Sequence, residues 1–348
     1  MAASNQDHTN LDAVAYGGSV REDVMNKIWD ISRIPLPLTD RIGTGTHTNR
    51  RVEFMTDDLG SPLTDNAHID GVDVDQNDAA MGDRVGNYTQ TALREVQVSH
   101  LAQAANSIGS MGKMNYQIMQ NQRRLKRDIE AQMLTNQASV AGDGTTTAGI
   151  SAGLGAWIET NTIFGTGGSA GGFNTTTGVI DAPTVGTALP LTEQGLRDMV
   201  QAVYEAGGDA DAGLLCMARP PVIRKLSEYL FSTGARIATM TNDNASGTSP
   251  MTAYGSANVF VTDFGVLTLV PNRLQPAEDT DVSALFILDP SHLRLSYMRG
   301  MRVEPLAKTG LSEKRLMSCD YSLLCLNEKT QAAIHAIDET AAVLEVPA

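Results

Sequence analysis

Residues 114–136, MNYQIMQNQRRLKRDIEAQMLTN, carry the strongest helical pattern in the chain. Met114, Ile118, Leu125, Ile129 and Met133 recur at spacings of four and seven, with Gln122 interrupting the row. A period of 3.6 residues puts them on one face of a helix. At 1.5 Å per residue that helix is about 35 Å long, enough to form the backbone of a domain. Arg123, Arg124, Lys126 and Arg127 add a basic turn, and Asp128 and Glu130 follow. Such a turn suits either a solvated face or a contact surface.

N-terminal to the helix lies an extended region. Between Val52 and Asp83 there are nine acids and no Lys or Arg, and Asp70, Asp73, Asp75 and Asp78 fall within nine residues. The flanks, Arg51–Met55 and Tyr88–Leu101, are rich in Val, Thr and Tyr. This predicts a long β-hairpin with an acidic, glycine-punctuated tip. A two-stranded hairpin is marginal alone in water, so it should lie against something. An EF-hand starting at Asp73 would need Gly at its sixth and Glu at its twelfth position. Asp78 and Arg84 stand there, so no metal is expected. Residues 1–50 read as an arm: Val24, Ile28 and Ile31 could share a helical face, and Pro35 and Pro37 force extended backbone.

C-terminal to the helix, residues 137–190 are rich in Gly, Thr, Ser and Ala, with Trp157-Ile158 the plausible anchor. Thr192 then caps a helix lined by Leu196, Met199, Val200 and Val203, which ends at Gly207-Gly208. Gly213–Ala218 reads as a buried strand, and Pro220-Pro221 opens a helix with Ile223, Leu226 and Leu230 inside. Val259–Thr262, Val266–Val270 and Ala284–Leu288 read as strands of an α/β or α+β domain. Leu293–Tyr297 and Met301–Leu306 follow as two strands. In Met317–Cys325 the odd positions share one face, which makes Cys319 and Cys325 small buried hydrophobes.

Composition narrows the function. The 348 residues include 26 basic and 40 acidic ones, a net charge of −14. Gripping DNA by its phosphates needs clustered cations, so a dedicated DNA binder is not expected, although a surface merely facing DNA is allowed. No apolar run approaches the roughly 18 residues of a membrane span. The first residues, Met1 to Asp7, lack the basic end and apolar run of a secretory signal. Cys216, Cys319 and Cys325 cannot build a disulfide framework, which fits a reduced cytosolic setting.

Enzyme-like strings are present but incomplete. Gly149-Ile150-Ser151-Ala152-Gly153 has the nucleophile-elbow spacing without an apolar strand before it. Asp263-Phe264-Gly265 lacks every other kinase element and reads as a turn between strands. Ser110-x-x-Lys113 with Lys308-Thr309-Gly310 evokes acyl-serine hydrolases, in which the lysine helps deprotonate the serine. The third wall of that site is missing. The histidines (His8, His47, His68, His100, His292, His335) have no metal or triad spacing. Neither a catalytic residue nor a cofactor is expected.

Taken in order along the chain, a set of short segments resembles the major capsid proteins of tailed bacteriophages with the Hong Kong 97-type fold, in the scaffold-dependent branch. They run from Gly86-Asn87-Tyr88-Thr89-Gln90-Thr91 through Arg127-Asp128-Ile129-Glu130 and Gly153–Ile158 to Leu191-Thr192-Glu193 and Tyr204–Gly208. Val261–Gly265, Val270–Arg273, Leu288-Asp289-Pro290, Ala307–Gly310 and Asn327-Glu328-Lys329 complete the series.

The resemblance implies an α+β fold with an N-terminal arm at 1–50 and an extended β-hairpin loop at 51–99. A peripheral domain with a long spine helix would occupy 100–185, an axial α/β domain 186–289, and returning peripheral strands 290–348. It implies self-assembly as hexamers and pentamers into an icosahedral shell around a double-stranded DNA genome, with assembly in the bacterial cytoplasm. A scaffolding protein, a portal protein and a decoration or cementing protein would be partners, and packaged DNA would be faced non-specifically. A cellular nanocompartment shell on the same fold is the alternative. In the type member an extended-loop lysine forms an isopeptide bond with another subunit. No lysine stands between Lys27 and Lys113, so this loop cannot supply that bond. The candidate inter-subunit contacts are Asp70, Asp73, Asp75 and Asp78 against Arg123, Arg124 and Arg127.

Overall fold

A computed structural model describes residues 35–57, 62, 64, 65, 67–71, 82–105, 113–208, 213–232 and 259–343. Five helices lie among them: α1 (His100–Ala104), α2 (Met114–Met133), α3 (Leu154–Trp157), α4 (Glu193–Glu205) and α5 (Pro220–Ser232). The chain divides into two units, one holding 95–121 and 304–316, the other 34–94, 122–303 and 317–348.

The larger unit is organised by a six-stranded sheet, in the order β5 (Thr162–Ile163), β14 (Ala332–Asp338), β11 (Val282–Leu288), β8 (Leu214–Ala218), β10 (Gly265–Pro271), β9 (Val259–Thr262). β8 and β10 run parallel, with α5 in the connection between them, whereas β9, β11 and β14 pair antiparallel. Every residue of β8 is buried, which is why Leu214–Ala218 is an unbroken apolar run rather than an alternating one. One face of the sheet packs Leu196, Val200 and Val203 of α4 and Val222 and Leu226 of α5 against Leu267, Leu285 and Ile334. Each such side chain contributes roughly 1.5–3 kcal/mol by leaving water. Thr192 caps α4 by accepting from the Gly195 amide at 3.1 Å, and Gly207 ends it at φ +82°.

A four-stranded sheet has the order β1 (Gly43–Thr46), β12 (Leu293–Pro305), β13 (Ser312–Cys325), β4 (Gln90–Ser99). Three expectations are corrected here. Leu293–Leu306 is not two strands, because β12 runs unbroken through Gly300, which has open space around it. The hairpin partner of Arg51–Thr56 (β2) is Asp83–Tyr88 (β3), not Tyr88–Leu101. Residues 90–99 leave for the four-stranded sheet, where Val96 and Val98 are buried. On α5 the buried side chains are Val222 and Leu226, with Ile223 only partly covered; Leu230 lies outside the described side chains.

Within the smaller unit, the connection between β12 and β13 is pinned by Leu306 N–H donating to Lys314 O (3.1 Å) and His100 N–H to Leu311 O (3.1 Å). Gln97 also bonds Ser312 at 3.0 Å. The expected Lys308-Thr309-Gly310 connection between strands is therefore present.

Candidate assembly surfaces

The hairpin β2–β3 is a two-stranded sheet of its own, with Arg51 opposite Tyr88 and Thr56 opposite Asp83. Its root is fixed by buried polar bonds. The fully buried Asn87 donates to Leu323 O (2.7 Å) and Ser151 Oγ (3.1 Å), and its Oδ1 accepts from Ala152 N–H (3.0 Å) and Tyr88 N–H (2.8 Å). Phe54 stacks on Trp157 with ring centres 6.3 Å apart, and Trp157 Nε1 donates to Leu323 O. Arg51 lies over the Tyr88 ring at 5.5 Å. Gly86 has no room for a side chain, since a Cβ would stand 2.5 Å from Val52 O.

Beyond the root the described residues of the hairpin are largely open to solvent. Met55 is 65% exposed and Ile69 82%. Asp70 stands exposed in a turn where Gly71 takes φ +83°. Asp73, Asp75 and Asp78 lie outside the described residues, as do Val24, Ile28, Ile31 and Ser110.

On α2, Leu125, Ile129 and Met133 are buried as the period requires, and the basic turn faces outward: Arg124 is exposed, Arg123 and Arg127 half-buried. Asp70 makes no ion pair with any of them among the described residues. Asp128 is held by Arg94 through two bonds of 2.8 Å, a geometry the sequence did not indicate.

Glu130, fully buried, is the clasp that the helical period alone misses. Its carboxylate accepts from Leu38 N–H (2.8 Å), Thr39 N–H (2.9 Å), Thr39 Oγ1 (2.5 Å) and Asn272 Nδ2 (2.9 Å). It thereby ties the end of the arm, where Leu36, Leu38 and Ile42 are buried, to the body. No local signal marks it, since Asp128 and Glu130 both adjoin the buried Ile129.

Two more polar centres follow the same rule that buried polar groups find partners. His47 bridges Ser296 Oγ (2.8 Å) and Thr89 Oγ1 (2.9 Å), and burial lowers its pKa against the opposing pull of Asp320. Glu278 accepts from Ala336 N–H (2.8 Å) and Asn136 Nδ2 (2.5 Å) and bonds His335 Nδ1 (2.5 Å), with Phe164 stacked on the imidazole at 4.7 Å. Burial opposes ionisation of Glu278, but these bonds win and hold its carboxyl below the usual range.

The enzyme-like strings dissolve into structure. Ser151 is buried, its Oγ accepting from Asn87 and from Leu323 N–H. Asp263 and Phe264 form the turn between β9 and β10. Lys113 is exposed, and Lys308 sits 3.9 Å from Glu313. Burial pushes Cys216 up to about 12 and Cys319 up to about 11, so neither is a thiolate at neutral pH. Among the described residues no group of three or more His, Cys, Asp or Glu could hold a metal.

The comparisons agree with this reading. The family model described as SU10 major capsid protein matches residues 3–338. Solved capsids share the fold: that of the cyanophage P-SCSP1u (TM-score 0.56, 12% identity, 96% of this chain and 99% of that one) and that of the native GTA particle (0.57, 12%, 96% and 100%). So does the SrpI encapsulin of Synechococcus elongatus PCC 7942 (0.53, 12%, 95% and 98%). No curated protein matches the sequence. The fold is thus of the Hong Kong 97 type, and the chain belongs to the SU10 major capsid protein family.

Proposed function

We propose that this major capsid protein assembles as hexamers and pentamers into the icosahedral shell around a double-stranded DNA phage genome. Scaffolding is supplied by a separate protein, assembly proceeds in the bacterial cytoplasm, and a portal protein occupies one vertex. Shell strength that the lysine-free extended loop cannot supply by isopeptide bonds comes from non-covalent contacts or from a decoration or cementing protein. The net charge of −14 suits an inner wall that faces packaged DNA without gripping it.

The observation that carries this reading is the hairpin, whose two strands pair with no other strand among the described residues and which exposes Met55 and Ile69 to solvent. Asp70, Asp73, Asp75 and Asp78 then meet Arg123, Arg124 and Arg127 of an adjacent subunit. Exposed pairs contribute only about 0–1 kcal/mol each, so their repetition around a closed shell matters more than any one of them. Electron microscopy of the expressed chain, with and without its scaffold, tests the proposal: closed particles or capsomers are expected, and a self-contained monomer under all conditions refutes it. A covalent subunit ladder on a denaturing gel would refute the non-covalent part. The similarity to an encapsulin keeps a nanocompartment as the second reading, distinguished by particles that lack a portal and DNA.

A further inference from the structure

The larger unit contains an open groove of about 660 Å³ that no part of the described chain fills. Its apolar wall is Phe54 of the hairpin, the Trp157 ring and Phe173 of the β6–β7 hairpin (Gly172–Asn174 and Val179–Asp181). Its polar lining is acidic: Asp57, Asp83, Glu159 and Glu328, against Lys329 alone among the described residues. Glu328 is oriented by Thr160 Oγ1 (2.6 Å) and Thr160 N–H (3.1 Å). Partial burial and the nearby Glu328 push the Glu159 carboxyl up, so this corner is short of positive charge.

A segment of opposite character stands at the turn between β12 and β13. Leu306-Ala307-Lys308-Thr309-Gly310-Leu311 exposes Leu311 (82%) and Leu306 (39%), and the Lys308 side chain is 60% exposed. Lys308, Lys314 and Arg315 outnumber Glu313 there. We infer that this turn of a second copy of the chain docks in the groove, with a leucine against Phe54, Trp157 and Phe173 and the Lys308 ammonium between Glu159 and Glu328. Desolvated apolar anchors provide the affinity and the charges the register. A contact of this kind, groove on one subunit and tip on the next, is heterologous and closes into rings under rotation. The inference rests on the shell reading.

Two full-length proteins with different tags, one carrying Thr175→Cys at the groove rim and the other Thr309→Cys at the tip, are mixed, assembled and oxidised. A disulfide-linked dimer bearing both tags is expected, and neither protein alone gives one. In parallel, Glu159→Lys and Lys308→Glu should each cut particle yield at least tenfold, and the double variant should restore most of it, with all melting curves unchanged. Particles without the cross-link, a cross-link confined to one chain, or a double variant no better than the singles would overturn the groove assignment. Failure of the unsubstituted chain to form particles would count instead against the shell reading itself.

Discussion

Replacing Glu130 by alanine should loosen the arm from the body more than any other single change on α2. Four donors converge on this carboxylate, and alanine leaves all four without their acceptor. Leu38 N–H and the Asn272 amide are buried and have no route to water, so each should cost about 1–3 kcal/mol. Thr39 is half-exposed and can turn to solvent, so it adds little. The expected loss is therefore about 2–6 kcal/mol. Glu130→Gln should lose less, roughly 1–2 kcal/mol, because the amide oxygen still accepts from Leu38 and Asn272 while the amide nitrogen faces the Thr39 N–H. Urea unfolding of the unassembled subunit gives the total. Amide exchange gives the location: a loss of about 3 kcal/mol should speed exchange at Leu38 by roughly a hundredfold. Unaltered exchange at Leu38 in the alanine variant, or a glutamine variant as damaged as the alanine one, would refute the assignment of Glu130 as the clasp.

Asn87→Ala should free the hairpin root, at about 2–4 kcal/mol, since two backbone N–H groups lose their acceptor; limited proteolysis within 57–82 should accelerate with the body left intact. Gly86→Ala should cost about 1–3 kcal/mol, because the new methyl meets Val52 O at 2.5 Å and the two strands must separate; a melt with wild-type midpoint would count against the pairing of Glu53 with Gly86. Because burial lowers the pKa of His47, the folded chain prefers the neutral imidazole. Its stabilising share is complete above about pH 6.5 and declines as pH falls below that value. Melting temperatures from pH 7.5 to 5 should therefore fall less steeply in His47→Gln than in the unsubstituted chain.

Local pattern was enough for much of the architecture. The α2 face of Leu125, Ile129 and Met133, the capped helix after Thr192 and the shared face of Met317, Cys319, Tyr321, Leu323 and Cys325 follow from side-chain periods of 3.6 and 2, and the buried strand at 214–218 follows from its unbroken apolar run. The order of short segments also pointed to the capsid fold. Less legible was the partner of each strand. Residues 51–56 could pair with either side of Thr89, because both stretches have strand composition; only the docking of Asn87 against Leu323, 236 residues away, selects 83–88 for the hairpin and sends 90–99 to the four-stranded sheet.

The buried polar centres mark the same boundary. Nothing local distinguishes Glu130 from the solvated Asp128 two positions earlier, yet one is fully buried under the arm and the other pairs with Arg94 at the surface. What the amino-acid sequence by itself determined is which residues each helix and strand turns inward, because that depends only on backbone geometry and the cost of exposing apolar area. What the tertiary structure decided is which polar groups meet inside, because a hydrogen bond is worth making only where a distant segment has already excluded water.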